Sequence, residues 1–273
     1  FLFLFIRFRQ AARQRRSIES LHPSSTYALA FFLFFLPGIL PCVIGGITSL
    51  GGVVDSANLD ATFGVALVPD RKIALVTSYS LHKLSAYSYV DANNLELLSS
   101  VADSTLMLNA WGGSYDNTRD MAVVDARHGN SLTTIDLSDA SSMTILGSVS
   151  SSTYLDGTLT SCLDEANAIA YTQGVDLDSF AAVSYSDRAN PAVLGGISGD
   201  STYMNGAHDV ACNLGNSIVY VTGELSNSIA AINVADPSSP SRVGGIIDGT
   251  NLDGAHGIVY EASGDLLFVA CWN

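Results

Sequence analysis

Basic residues are scarce in this chain, with 12 Lys and Arg against 26 Asp and Glu in 273 residues and a formal net charge of −14. The shortage is uneven. Arg7, Arg9, Arg13, Arg15 and Arg16 face a single acid, Glu19, before residue 47, so the remainder holds 7 basic and 25 acidic residues, a balance of −18. A surface of that sign repels phosphate backbones, so no nucleic-acid partner is expected. Cysteine is sparse too. Cys42, Cys162, Cys212 and Cys271 show no Cys-x-x-Cys spacing, which argues against a thiolate zinc site. Cys162 and Cys212 fall in adjacent columns of the repeat described below, so they are expected on opposite faces as buried thiols. There is no Gly-x-Ser-x-Gly, His-Glu-x-x-His or P-loop and no Asn-x-Ser/Thr acceptor, and no catalytic residue is assigned from motifs. Sustained apolar recurrence at helical spacing is also lacking, which leaves helix the weaker reading. No methionine precedes Met107, and the sequence is expected to be a piece of a longer product.

What the chain does have is a period. A strand-ending signature recurs at Leu50, Leu98, Leu146, Leu194 and Val243, at steps of 48, 48, 48 and 49 residues. Ile73, Met121, Ile169, Ile218 and Leu266 open a second column, and Leu84, Leu132, Phe180 and Ile229 a third, at the same spacing. Within the clearest copy, 206–246, four short runs rich in Val, Ile and Tyr are separated by Gly, Asn, Asp, Ser and Pro. Four antiparallel strands per copy, repeated, predict an all-β chain, a β-propeller of roughly 48-residue four-stranded blades over 47–273. About four and a half blades are present, an incomplete ring by this count, preferred as part of a ring of six to eight. The run 47–53 is expected to act as an orphan fourth strand completing the last blade. The second copy reads Trp-Gly-Gly-Ser-Tyr-Asp at 111–116, where glycine weakens a strand, and is expected to be the least regular.

The segment before the repeats divides in two. Residues 1–26 form a basic leader, expected to be disordered. Residues 27–46 are almost uninterruptedly apolar, the parts of a secretory signal or an uncleaved anchor, with membrane anchorage expected through 27–44. Pro37 and Pro41 shorten the clean apolar run below what a spanning helix needs.

Ala-His-Asp-Val-Ala at 207–211, joined to Ile-Asn-Val-Ala-Asp-Pro-Ser-Ser-Pro at 232–240, resembles the LVIVD-type repeat, and related stretches stand at 134–139, 182–187 and 190–195. The resemblance covers roughly residue 50 to 273 and is weakest at the second copy's inner strand. It implies a β-propeller, often of a secreted or surface protein, and carries no general catalytic motif.

One column of the repeat gathers the chemistry. Phe63, Trp111, Leu159, His208 and His256 align at the start of the innermost strand, the position facing a propeller's channel mouth, with Asp60, Asp156, Asn205 and Asp253 three residues earlier. Histidines and carboxylates on neighbouring blades could ligate a divalent cation. The alternative, and the preferred one, is that the histidines follow Gly-Ala as repeat consensus and bond a neighbouring loop. His208 and His256 are accordingly expected at one end of adjacent blades, near Asn205 and Asp253, but too far apart to share an ion, so no metal or other cofactor is assigned. Function is expected to be that of a non-catalytic extracellular or cell-surface scaffold, secreted or membrane-anchored, with a protein or glycan partner on its loop face. The alternative is a propeller hydrolase or lactonase with a metal in the central channel.

Overall fold

The computed structural model describes residues 3–7, 52–91 and 93–272. Four sheets follow one another, each of four antiparallel strands in sequence order. The first blade is β2 (Thr62–Val68), β3 (Ile73–Ser78), β4 (Lys83–Ser88) and β5 (Glu96–Ala102). The second is β6 (Ala110–Asp116), β7 (Met121–Ala126), β8 (Ser131–Asp136) and β9 (Thr144–Ser150). The third is β10 (Thr158–Asp164), β11 (Ile169–Gly174), β12 (Ser179–Ser184) and β13 (Ala192–Ile197), and the fourth is β14 (Ala207–Asn213), β15 (Ile218–Gly223), β16 (Ser228–Asn233) and β17 (Ser241–Ile247). A fifth, partial blade has β18 (Ala255–Glu261) antiparallel to β19 (Leu266–Cys271).

Blades stack through their first strands, β2 on β6, β6 on β10, β10 on β14 and β14 on β18. The core therefore lies between sheets rather than beneath one. In β7 every residue is buried, and alternation sends Ala122 and Val124 to the cluster shared with the first blade and Met121 and Val123 to the cluster shared with the third. Burial on both faces is why these strands read as continuous apolar runs. The next interface packs Tyr171 and Phe180 against Val219, Val221 and Ile232, and the last packs Ile229 against Ile258 and Val269. At the start of the stack the arc is open: Val65 and Leu67 are 65% and 57% exposed, while Val210, in the same column as Val65, is 7% exposed.

Four expectations need correction or qualification. The second blade's inner strand is well paired, Gly112 with Asp125 through Asp116 with Met121. Its glycines do not weaken it. A Cβ on Gly112 would run into the Leu159 carbonyl and lie 3.0 Å from the Thr160 Cα, so the glycine lets β6 approach β10 closely. Cys162 and Cys212 are joined by a disulfide. They do leave opposite faces of their own sheets. In a stack, however, one face of the third blade meets the other face of the fourth, so opposite faces are what brings them together. Of the run 47–53, residues 47–51 lie outside the described residues, and Gly52 and Val53 are not in a strand. The place beside β19 is taken instead by β1 (Phe3–Arg7), paired parallel to it from Phe3 with Leu267 to Arg7 with Cys271. That five-residue strand stands in the leader expected to lack structure; the apolar segment 27–46 lies outside the described residues. Among the described residues no helix is long and apolar enough to cross a membrane.

Candidate functional site

Each inner strand is entered through a left-handed residue, Ala61, Asn109, Gly157, Gly206 or Gly254, with φ of 49°, 59°, 74°, 66° and 68°. Gly206 and Gly254, two residues before His208 and His256, take this conformation without the strain that Ala61 carries in the same column. The ladder to the second strand then slips at the same point in all five blades, between Thr62 and Val65, Ala110 and Gly112, Thr158 and Ser161, Ala207 and Val210, and Ala255 and Gly257. The residues left out of the ladder begin each time with Phe63, Trp111, Leu159, His208 or His256. A bulge removes a residue from the ladder and re-aims its side chain, which frees this column to face the inner edge of the arc.

A second column completes the site. The first residue after the second strand is Tyr79, Arg127, Val175, Glu224 or Trp272, and each donates its backbone N–H to the carbonyl of the left-handed residue, at 3.0, 3.1, 3.3, 3.1 and 2.8 Å. The two columns are thereby locked side by side. Their backbones are also tied across blades by the fifth residue of the second strand. Thr77 donates to the Trp111 carbonyl, Gln173 to that of His208, and Thr222 to that of His256 at 2.9 Å.

The side chains form an aromatic band. Phe63 stacks on Trp111 with centroids 3.9 Å apart, and Tyr79 meets both edge-on at 5.6 and 5.8 Å. The Trp111 centroid lies 6.3 Å from that of His208, the His208 and His256 centroids are 3.4 Å apart, and Trp272 stacks on His256 at 5.2 Å. The guanidinium of Arg127 lies 5.4 Å over the Trp111 ring, and its Nε is buried with no hydrogen-bond partner among the described residues. At the junction of the fourth and fifth blades, ligand atoms of His208, Glu224 and His256 all lie within 4.8 Å of one another.

Burial sets the charge states. It drives the His208 imidazole down to about 3, with His256 and Arg127 pushing the same way, and lowers His256 as well. Both rings are neutral at pH 7. Burial raises the Glu224 carboxyl, and the Arg127 guanidinium opposes that rise. The arrangement therefore offers two imidazole lone pairs, a carboxylate with enhanced basicity and an unsatisfied guanidinium donor.

The structure brings His208 and His256 to the same end of adjacent blades, as the repeat spacing predicts, but corrects their separation. Inner strands are where neighbouring blades come closest, and the Asp209 carboxylate bridges them by accepting the Ile258 N–H at 2.9 Å. Trp111 joins the band. Asp60, Asp156, Asn205 and Asp253 lie in the turns that precede the inner strands. The carboxylate that converges with the histidines is Glu224, and Asp60, Asp156 and Asp253 are not among the three. Sequence reasoning missed Glu224 and Arg127, although both stand six residues after the conserved-period positions Ile218 and Met121, the spacing that could have found them.

No protein-family model matches the chain, and no curated protein matches it. Solved structures share its fold. The periplasmic gluconolactonase of Pseudomonas aeruginosa superposes with a TM-score of 0.63 at 13% identity, over 76% of this chain and 64% of its own. A candidate 6-phosphogluconolactonase from Bacteroides uniformis gives 0.64 at 15%, over 79% of this chain and 65% of its own. A chain of a nidogen–laminin complex gives 0.54 at 11%, over 74% and 70%. The fold is thus found in a lactonase and in a protein–protein complex, so function must be argued from the site.

Proposed function

We propose that the inner-edge site hydrolyses a lactone and that the chain works outside the cell or in the periplasm. The observation that carries this reading is the convergence of His208, Glu224 and His256 in the same band of side chains as Arg127. The lactone carbonyl oxygen accepts from the guanidinium of Arg127, which the Trp111 ring holds at 5.4 Å. A water held by Glu224 and the imidazoles attacks the carbonyl carbon while its proton passes to Glu224. Arg127 stabilises the developing oxyanion. The ring C–O bond then breaks, and the proton on Glu224 goes to the departing alkoxide, giving the hydroxy acid. Burial suits Glu224 to this role, because a carboxylate whose pKa is raised is the stronger base.

Two further features support the reading. The fold is shared with a periplasmic gluconolactonase. The Cys162–Cys212 disulfide persists in oxidising compartments and is rare where thiols are kept reduced. The blades remain, in this reading, LVIVD-type repeats. A second reading, a non-catalytic scaffold for a protein or glycan, is favoured by Phe63 and Trp272, which stand 52% and 62% exposed along the same band.

The deciding experiment presents purified protein with sugar δ-lactones and five-membered aliphatic lactones in a pH-stat. Wild type is expected to open at least one class faster than buffer, and Glu224→Gln and Arg127→Met to lower kcat/KM by about a hundredfold or more. Binding of the lactone or a glycan without turnover would overturn the hydrolase and leave the scaffold.

A further inference from the structure

We propose that His208, Glu224 and His256 hold one divalent transition-metal ion, zinc before others, at the junction of the fourth and fifth blades. This deepens the lactonase reading by naming what that site carries, yet the binding it asserts can be measured without turnover. The ligand set is two imidazoles and one carboxylate, a combination that suits borderline ions and leaves one coordination position open. Geometry is close to what such an ion needs. Zinc–ligand distances of roughly 2.0 to 2.2 Å put tetrahedral ligand atoms about 3.3 Å apart, and the three here lie within 4.8 Å of one another. The Glu224 side chain is long, follows β15 and is only partly buried, so it has room to adjust.

The surroundings of the two rings fit the same assignment. The Gln173 side chain donates to the His208 carbonyl and Thr222 to the His256 carbonyl at 2.9 Å, so the backbone that carries each ring is held from the second strand of the preceding blade. Arg127 opposes the ion; it belongs to the second blade and lies over the Trp111 ring, and the Glu224 carboxylate offsets it. With the ion bound, the ion in place of the imidazoles would hold the attacking water and make it more acidic, and Glu224 would take that water's proton on the oxygen it does not give to the ion.

The test is titration of the full, chelator-stripped chain with Zn²⁺ by calorimetry, repeated with Co²⁺ while its visible d–d bands are followed. One ion per chain is expected, with bands of four- or five-coordinate geometry. His208→Ala, His256→Ala and Glu224→Gln should each weaken binding by at least about a hundredfold, and the exposed-loop variant Asp236→Asn should bind as wild type does. Glu224→Gln preserves shape, so it decides the matter should either alanine variant fail to fold. Wild type that takes up no ion, or Glu224→Gln that binds undiminished, overturns the proposal. Lactone turnover by stripped protein that binds no zinc would overturn the metal and keep the hydrolase. Stoichiometric zinc without turnover would do the reverse.

Discussion

Asp125 is fully buried on β7, and hydroxyl groups of the neighbouring blade surround its carboxylate. Thr158 and Thr172 donate to one oxygen at 3.1 Å each, and Ser161 donates to the other at 2.9 Å. Burial nevertheless pushes this carboxyl up to about 6, with the Asp209 charge adding to the rise. A folded-state pKa above the unfolded value of 3.8 means that its stability contribution is complete below pH 3.8 and is lost as pH rises through about 6. His208 has the opposite slope. Its folded value of about 3 lies below the 6.5 of a free imidazole, so its stability contribution is present above pH 6.5 and lost as pH falls toward 3. The two oppose each other between about pH 4 and 6.5. Asp125→Asn is therefore expected to remove a loss of roughly 3 kcal/mol between pH 4 and 7 and to leave a protein that destabilises on acidification. Urea midpoints across that range check it, and a variant with the wild-type profile would exclude Asp125 as the titrating group. At this scale the sequence was half legible. His208, His256 and Trp111 stand out because their column mixes residue types that rarely share one. Glu224 and Arg127 lie in exposed-looking turns, Thr-Gly-Glu and Asp-Ala-Arg, where acids and bases are ordinary, and only the bulge next door turns their column into a wall of the site.

Strands were the most legible objects in the chain, since both-face burial writes them as apolar runs and the turn residues between them write their ends. Besides β1 in the leader, the element that resisted was β6, whose glycines record contact with another backbone, a fact about β10 rather than about β6. Gly112→Val is expected to destabilise the protein by about 1–3 kcal/mol, because the added side chain meets the Leu159 carbonyl and the strands must part. Gly244→Ala, on β17 with nothing within 4 Å of the added Cβ, is expected to be neutral or slightly stabilising. Chemical denaturation of the two variants side by side tests the distinction; equal effects would mean that the approach of β6 to β10 is not what the glycine serves. The bulges were illegible for a different reason. Each slip follows the first residue of its strand, so there is no alternation ahead of it for the sequence to show being broken.

Over the whole molecule the repeat period predicted the order of blades, while contacts that cross from one blade to the next had to be seen. The disulfide is the clearest case, since two columns that diverge within a sheet converge across a stack. Outside the band at the inner edge each blade packs against its neighbours, so the arc's stability is close to a sum of blades and interfaces in series. A covalent link between the third and fourth blades changes how that series answers to force. Pulled from its ends, the oxidised chain can never pay out the segment between Cys162 and Cys212, 50 residues apart in sequence. Reduction should therefore lengthen full extension by about 17 nm, taking roughly 3.5 Å per extended residue. An optical-trap record in which reductant leaves the total contour length unchanged would mean the two blades are not bolted together. With the bond intact, a tug on the termini runs through the sulfur bridge, and the span holding His208 carries none of the load.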